Sequence, residues 1–233
     1  MSDEAMTILT NFQYWFIRLL LWAGPGTLRV ALLSETGMKT MERRIWKEKV
    51  MMILHIRQLD EAAMAKKVWV EQMMNGWPGL AKDVEKICDT VGIDDANKTG
   101  MTAGEYAKSF EVACRGWEVA TLKRAMIGTK AATIVNDDCE IKDYVKRRSL
   151  KDVRDIFSER VFLLPFGGNY KHDRKYGDGC CRACAAGVSE TQAHVLECEG
   201  YSDVRAKVDV DTVDGRLMFF RTVIKIRDNL VKS

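Results

Sequence analysis

The chain has 233 residues, 47% hydrophobic and 30% charged, with a formal net charge of +3, a balance that excludes a dominantly disordered character. Only three Pro favour helix over broken structure. The seven Cys are an odd number with no secretory leader before them, which argues against a disulfide framework and for a reducing, intracellular compartment, nuclear or cytoplasmic.

The one long apolar stretch, Ile8 to Ala23, contains Asn11, Gln13 and Arg18. It is too short and too polar to span a bilayer. Its Phe12, Trp15, Phe16, Leu19, Leu20 and Trp22 instead call for a partner surface, either another protein or a second copy; no membrane partner is expected. Gly24-Pro25-Gly26 ends this helix and Ser34-Glu35-Thr36-Gly37 reads as a second break. From Met38 to about Asp60 apolar residues from Met41 through Trp46 and Val50 to Leu54 recur at helical spacing. His55 falls in this pattern without a partner and reads as a helix-edge residue, not a base. Asp60 is placed to cap a helix to about Met74, and Pro78 suits the first turn of another through Thr90.

Residues 92–104 are rich in Asp, Asn, Lys, Thr and Gly and read as a connector. They divide a helical region over 1–91 from a helical linker over 92–168 and a metal module with a final helix over 169–233. Thr102 is positioned to cap a helix to about Ile127 that buries Tyr106, Phe110, Trp117, Val119, Leu122 and Met126. Ser149 opens a helix to about Leu164, stopped by Pro165-Phe166-Gly167-Gly168. A last helix, Asp214 to Leu230, presents Leu217, Phe220, Val223, Ile224 and Ile226. Strand signals are weak, so the expected class is mainly α: a helical bundle, a small Cys/His module and a C-terminal helix. Cys88, Cys114 and Cys139 read as reduced, partly buried thiols.

The strongest motif is Cys181, Cys184, His194 and Cys198, a C-x2-C-x9-H-x3-C cluster. Two thiolates on a tight turn and a His/Cys pair four residues apart can close a tetrahedron, and three sulfurs with one imidazole suit Zn²⁺ in a structural site. The Ser189-Glu190-Thr191-Gln192 capping box is expected to open the helix carrying His194 and Cys198. Unrelated thiols would be the plain alternative, but the chain has only three His and one falls at the required spacing. Before the cluster, residues 142–175 hold ten Lys/Arg against five Asp/Glu. Lys171, Arg174, Lys175 and Arg182 could meet phosphates; Tyr170 and Tyr176 could stack on unpaired bases or pack locally. Asp137-Asp138 superficially resembles a polymerase metal pair, but Cys139, Glu140 and Lys142 follow instead of a strand, so a loop with capping acids is the better reading. No catalytic constellation emerges from spacing.

Several blocks together resemble the part of non-LTR retrotransposon reverse transcriptases that follows the palm. They are Ala31 to Gly37 with Arg43-Arg44-Ile45-Trp46, Asn75 to Leu80, Ile141 to Tyr144, Leu164-Pro165-Phe166 with Asn169-Tyr170, and Cys181 to Cys184 through Glu190 to Cys198. The resemblance covers nearly the whole chain. It implies a thumb-like helical region over about Thr7 to Met74, then a linker and a CCHC zinc knuckle that helps bind template RNA or target DNA. It also implies that fingers, palm and endonuclease lie outside this chain, leaving a non-enzymatic remnant able to associate with a reverse-transcriptase core. Cys180, next to the first ligand, is extra to the pattern.

Overall fold

The computed structural model describes residues 3–94, 101–128, 140–169, 178–184 and 186–232. Helices dominate; among the described residues the nearest thing to a strand is an isolated antiparallel bridge between Cys180 and Ser189. No helix among these residues is long and apolar enough to cross a membrane. The chain divides into two compact units, residues 1–15 with 28–140, and residues 16–27 with 141–233. Helix α1 (Asp3–Leu21) therefore contributes to both.

The first unit is built from α2 (Arg29–Thr36), α3 (Met41–Gln58), α4 (Met64–Asn75), α5 (Leu80–Val91) and α6 (Ala103–Met126). Its core joins Val50, Ile53 and Leu54 of α3, Val84, Ile87 and Cys88 of α5, and Tyr106, Phe110 and Cys114 of α6. The spacings of three and four residues put each set on one helix face. On α6 the buried series continues through Glu118, Leu122 and Met126, with Trp117 and Val119 only half-buried beside it. Glu118 is tolerated in that series because the buried Arg43 of α3 meets it, and the Arg43 guanidinium also reaches Glu111 at 2.8 Å. The Thr40 amide donates to Glu118 at 2.7 Å and its hydroxyl caps α3.

Helix starts follow cap chemistry. Thr102 and Glu105 make a complete capping box on α6. Two of these boundaries differ from the sequence reading. Ser34 and Glu35 are buried within α2, so the break falls at Gly37, whose φ of 62° suits glycine. Asp60 caps no helix: its carboxylate accepts from the Ala62 amide, and α4 starts at Met64. Cys88 and Cys114 are buried thiols outside any disulfide, and burial pushes the Cys114 thiol up to about 12. His55 is exposed on α3. Cys139, Asp137 and Asp138 lie outside the described residues.

The second unit contains α7 (Asp143–Arg147), α8 (Leu150–Arg160), α9 (Gln192–Glu197), α10 (Ser202–Arg205) and α11 (Val213–Lys232). Ser149 caps α8 by accepting from the Asp152 amide. Arg154 of α8 holds the 16–27 segment, lying 4.0 Å from the Trp22 ring centroid and donating to the Leu20 carbonyl at 2.7 Å. Arg221 of α11 bridges Asp152 and Asp155 of α8. One core collects Leu164, Phe166, Val195, Tyr201, Phe219, Phe220 and Val223 together with Cys181 and Cys198.

Candidate metal centre

The four expected ligands come together. Cys181, Cys184, His194 and Cys198 place one ligand atom each within 4.8 Å of all the others. The Cys181 and Cys198 sulfurs are 3.8 Å apart, and the Cys184 sulfur is 3.5 Å from His194 Nε2. Metal–sulfur bonds of about 2.3 Å and metal–nitrogen bonds of about 2.0–2.1 Å, at tetrahedral angles, put two sulfurs about 3.8 Å apart and a sulfur and nitrogen about 3.5 Å apart. Two edges of the cluster thus have the dimensions of a tetrahedral site. The separation of Cys181 from Cys198 is too long for a disulfide, whose sulfurs sit about 2.05 Å apart.

Local hydrogen bonding explains how each ligand is held. The Cys181 amide donates to the Val188 carbonyl and the Glu190 amide to the Gly179 carbonyl, both at 2.8 Å, closing a hairpin around the first two cysteines. Gly187 turns it with a φ of 66°. The backbone of Cys184 and Ala183 hydrogen-bonds the Cys181 thiol, and that of Ala186 the Cys184 thiol. Burial nevertheless pushes the Cys181 thiol up to about 11, whereas the Ala186 backbone bond holds the Cys184 thiol below its ordinary value. Binding a metal would exchange those protons for the ion.

The expected helix is shorter than the sequence implied. The N-cap of α9 is Thr191, whose hydroxyl accepts from the His194 amide at 3.1 Å, and not Ser189, which is engaged in the hairpin bridge. Cys198 is the residue after the helix, tied to it by its amide donating to the His194 carbonyl at 2.7 Å. The His/Cys spacing therefore works through a helix and its C-cap. Arg205 donates to the Leu196 and Cys198 carbonyls at 2.7 and 3.2 Å, satisfying the end of α9 with a cation. Gly200 lies against the cysteine turn, since a Cβ there would fall 2.6 Å from the Ala183 carbonyl.

Of the residues read as nucleic-acid contacts, Arg182 is exposed within the cysteine turn. Lys171, Arg174, Lys175, Tyr170 and Tyr176 lie outside the described residues. Cys180 is not a member of the cluster; its thiol is 3.5 Å from the Gly187 carbonyl. Sequence reasoning passed over Arg205, Gly200 and the buried Arg227, and read Glu190 only as part of a capping box and of the resembling block. The one available signal was for Arg227, which follows Phe220 and Val223 at seven and four residues, in register with the buried face of α11.

The arrangement defines a chain of mainly helical class with a Cys3His group able to hold one metal ion. No protein-family model, no curated protein and no solved structure matches it.

Proposed function

We propose that the second unit is a zinc-stabilised module that binds RNA or single-stranded DNA, in a chain similar to the region after the palm of a non-LTR retrotransposon reverse transcriptase. The observation that carries this reading is the gathering of three thiols and one imidazole within 4.8 Å of one another, two of their separations at tetrahedral length, with Arg182 exposed on the turn between the first two. Three sulfurs and a nitrogen favour Zn²⁺. Four protein ligands leave no position for an activated water, so the ion's role is structural and the reading assigns residues 1–233 no catalytic step. Metal analysis coupled to salt-titrated binding of RNA, single-stranded DNA and duplex tests it. Zinc removal is expected to abolish binding, and alanine at Lys171, Arg174, Lys175 and Arg182 to weaken it with a shallower salt slope. Affinity that survives chelation and ignores salt would reject it.

A second reading has an observation of its own. On α1, Ile8, Phe12, Trp15 and Leu19 are all exposed, Phe12 by 60%, as is Trp22 just after it, by 75%. An apolar stripe of that size commonly marks a protein-interaction surface, here for a reverse-transcriptase core or a second copy through residues 8–23. A monomer in sedimentation that retains nucleic-acid binding and captures no polymerase core would leave this reading without support.

A further inference from the structure

Two charged side chains lie deep in the second unit, and neither is a metal ligand. Glu190 is 3% exposed and Arg227 is 2% exposed. Glu190 Oε2 and an Arg227 guanidinium nitrogen are 3.7 Å apart. Ions are costly to remove from water unless each finds a partner, so what this pair joins matters.

Glu190 sits at the base of the ligand hairpin, four residues before His194. Its amide donates to the Gly179 carbonyl at 2.8 Å, its carbonyl accepts from the Gly168 amide at 2.9 Å, and its carboxylate accepts from the Gly167 amide at 2.8 Å. One residue thus fixes both the approach to Cys181 and the segment after Phe166. Gly167 and Gly168 permit it: a Cβ on Gly168 would lie 2.9 Å from the Glu190 carbonyl oxygen.

Arg227 belongs to α11, with its guanidinium 6.0 Å from the Phe166 ring centroid and paired to Asp228 at 2.7 Å. The same helix supplies Phe219, Phe220 and Val223 to the core that takes in Cys181 and Cys198. One apolar contact therefore connects Cys181 and Cys198 to α11, and one ionic contact connects α11 to Glu190 of the ligand hairpin. Charge balance adds a reason for the second. Three thiolates and a neutral imidazole around a divalent ion leave the centre one charge negative, and Glu190 adds another nearby. Arg227 is the buried cation that faces Glu190, 3.7 Å from its carboxylate.

We infer that Glu190 and Arg227 are positioning residues of the metal centre, through which metal capture and the docking of α11 become one cooperative event. This rests on the metal reading above and adds a consequence: metal availability decides whether the C-terminal helix is docked.

The test uses the full chain, with zinc affinity measured by chelator competition and backbone amide exchange followed along α11. Glu190→Gln keeps the acceptor for Gly167 and removes the charge; Arg227→Met keeps the apolar stem. Each is expected to weaken zinc binding about 10- to 100-fold, as loss of an outer-shell partner typically does. The paired substitution should lose less than the product of the two single losses, because neither charge is then stranded. In the wild type, α11 amides should lose protection when zinc is withdrawn, while those of α3, α5 and α6 keep theirs. Single variants with wild-type zinc affinity, or α11 protection indifferent to zinc, would overturn the inference; a merely structural role would lower the melting temperature and leave affinity alone. Should a single variant fail to fold, the wild-type exchange result decides. A wild type that binds no zinc at all removes the metal reading itself, and the inference with it.

Discussion

The two units solve the same problem with different means. In the first, α3, α5 and α6 each supply an apolar face, and their meeting makes a core of packed side chains. In the second, the cysteine turn and α9 are too short to stand alone, and two of the four candidate ligands are themselves core residues. An isolated helix shorter than about 12 residues is marginal in water, so α9, with six residues, depends on what surrounds it. Long amphipathic helices and a metal cluster are alternative ways to offset the entropy of ordering a chain.

The contrast can be broken most forcefully at the ligands. Cys198→Ala or His194→Ala should prevent stable metal binding and loosen the second unit, since structural zinc contributes about 10–16 kcal/mol in small zinc peptides. Amide exchange should rise across residues 178–198 and leave α3, α5 and α6 unchanged; a uniform rise through both units would erase the distinction drawn here. In the first unit the matching weak point is ionic. Glu118→Ala leaves the buried Arg43 with Glu111 alone and the Thr40 amide without its acceptor, and should cost about 1–3 kcal/mol in thermal or denaturant unfolding, with or without metal. A loss that appeared only in zinc-loaded protein would contradict the independence of that core.

Gly200→Ala sharpens the comparison at smaller scale. The added methyl meets the Ala183 carbonyl, and the overpacking should cost about 1–3 kcal/mol and weaken metal binding, by displacing the turn between Cys181 and Cys184. Wild-type metal affinity in a folded Gly200→Ala chain would show that the turn has room to move. The smallest effect is acidic. Burial opposes ionisation of Glu111, but the Lys39 and Arg43 charges prevail and hold its carboxyl below the usual value. Its contribution to the first unit is therefore full above the unfolded value of about 4.3 and fades as pH falls through the lower folded one. Glu111→Gln should flatten that acid dependence, and an unchanged acid unfolding curve would assign the dependence elsewhere.

The sequence made the first unit readable because its signals are local. Val50, Ile53 and Leu54, or Tyr106 and Phe110, declare a face by spacing alone, and Thr102 with Glu105 announces a helix start. Ser34 and Glu35 misled because polar residues look like a break, although they are buried in α2. At the candidate metal centre, residue type and spacing picked out all four residues that the fold brings together. They did not reveal that Cys198 follows α9 instead of riding on it, because the helix ends on the backbone of Cys198 itself, at a ψ of 127°. Glu190 and Arg227 were hidden for another reason. Their partnership spans 37 positions of chain, and no periodicity connects residues that only tertiary packing brings together.

The central claim is that one ion, shared by Cys181, Cys184, His194 and Cys198, holds the second unit in its folded form. Native mass spectrometry of the full chain, titrated with a zinc chelator and paired with amide exchange on the same samples, tests it most directly. The account predicts one zinc per chain, with protection over residues 178–198 and 213–230 lost in step with its removal while residues 41–58 and 103–126 stay protected. A chain that carries no zinc, or that keeps the second unit fully protected after the ion has gone, would contradict it.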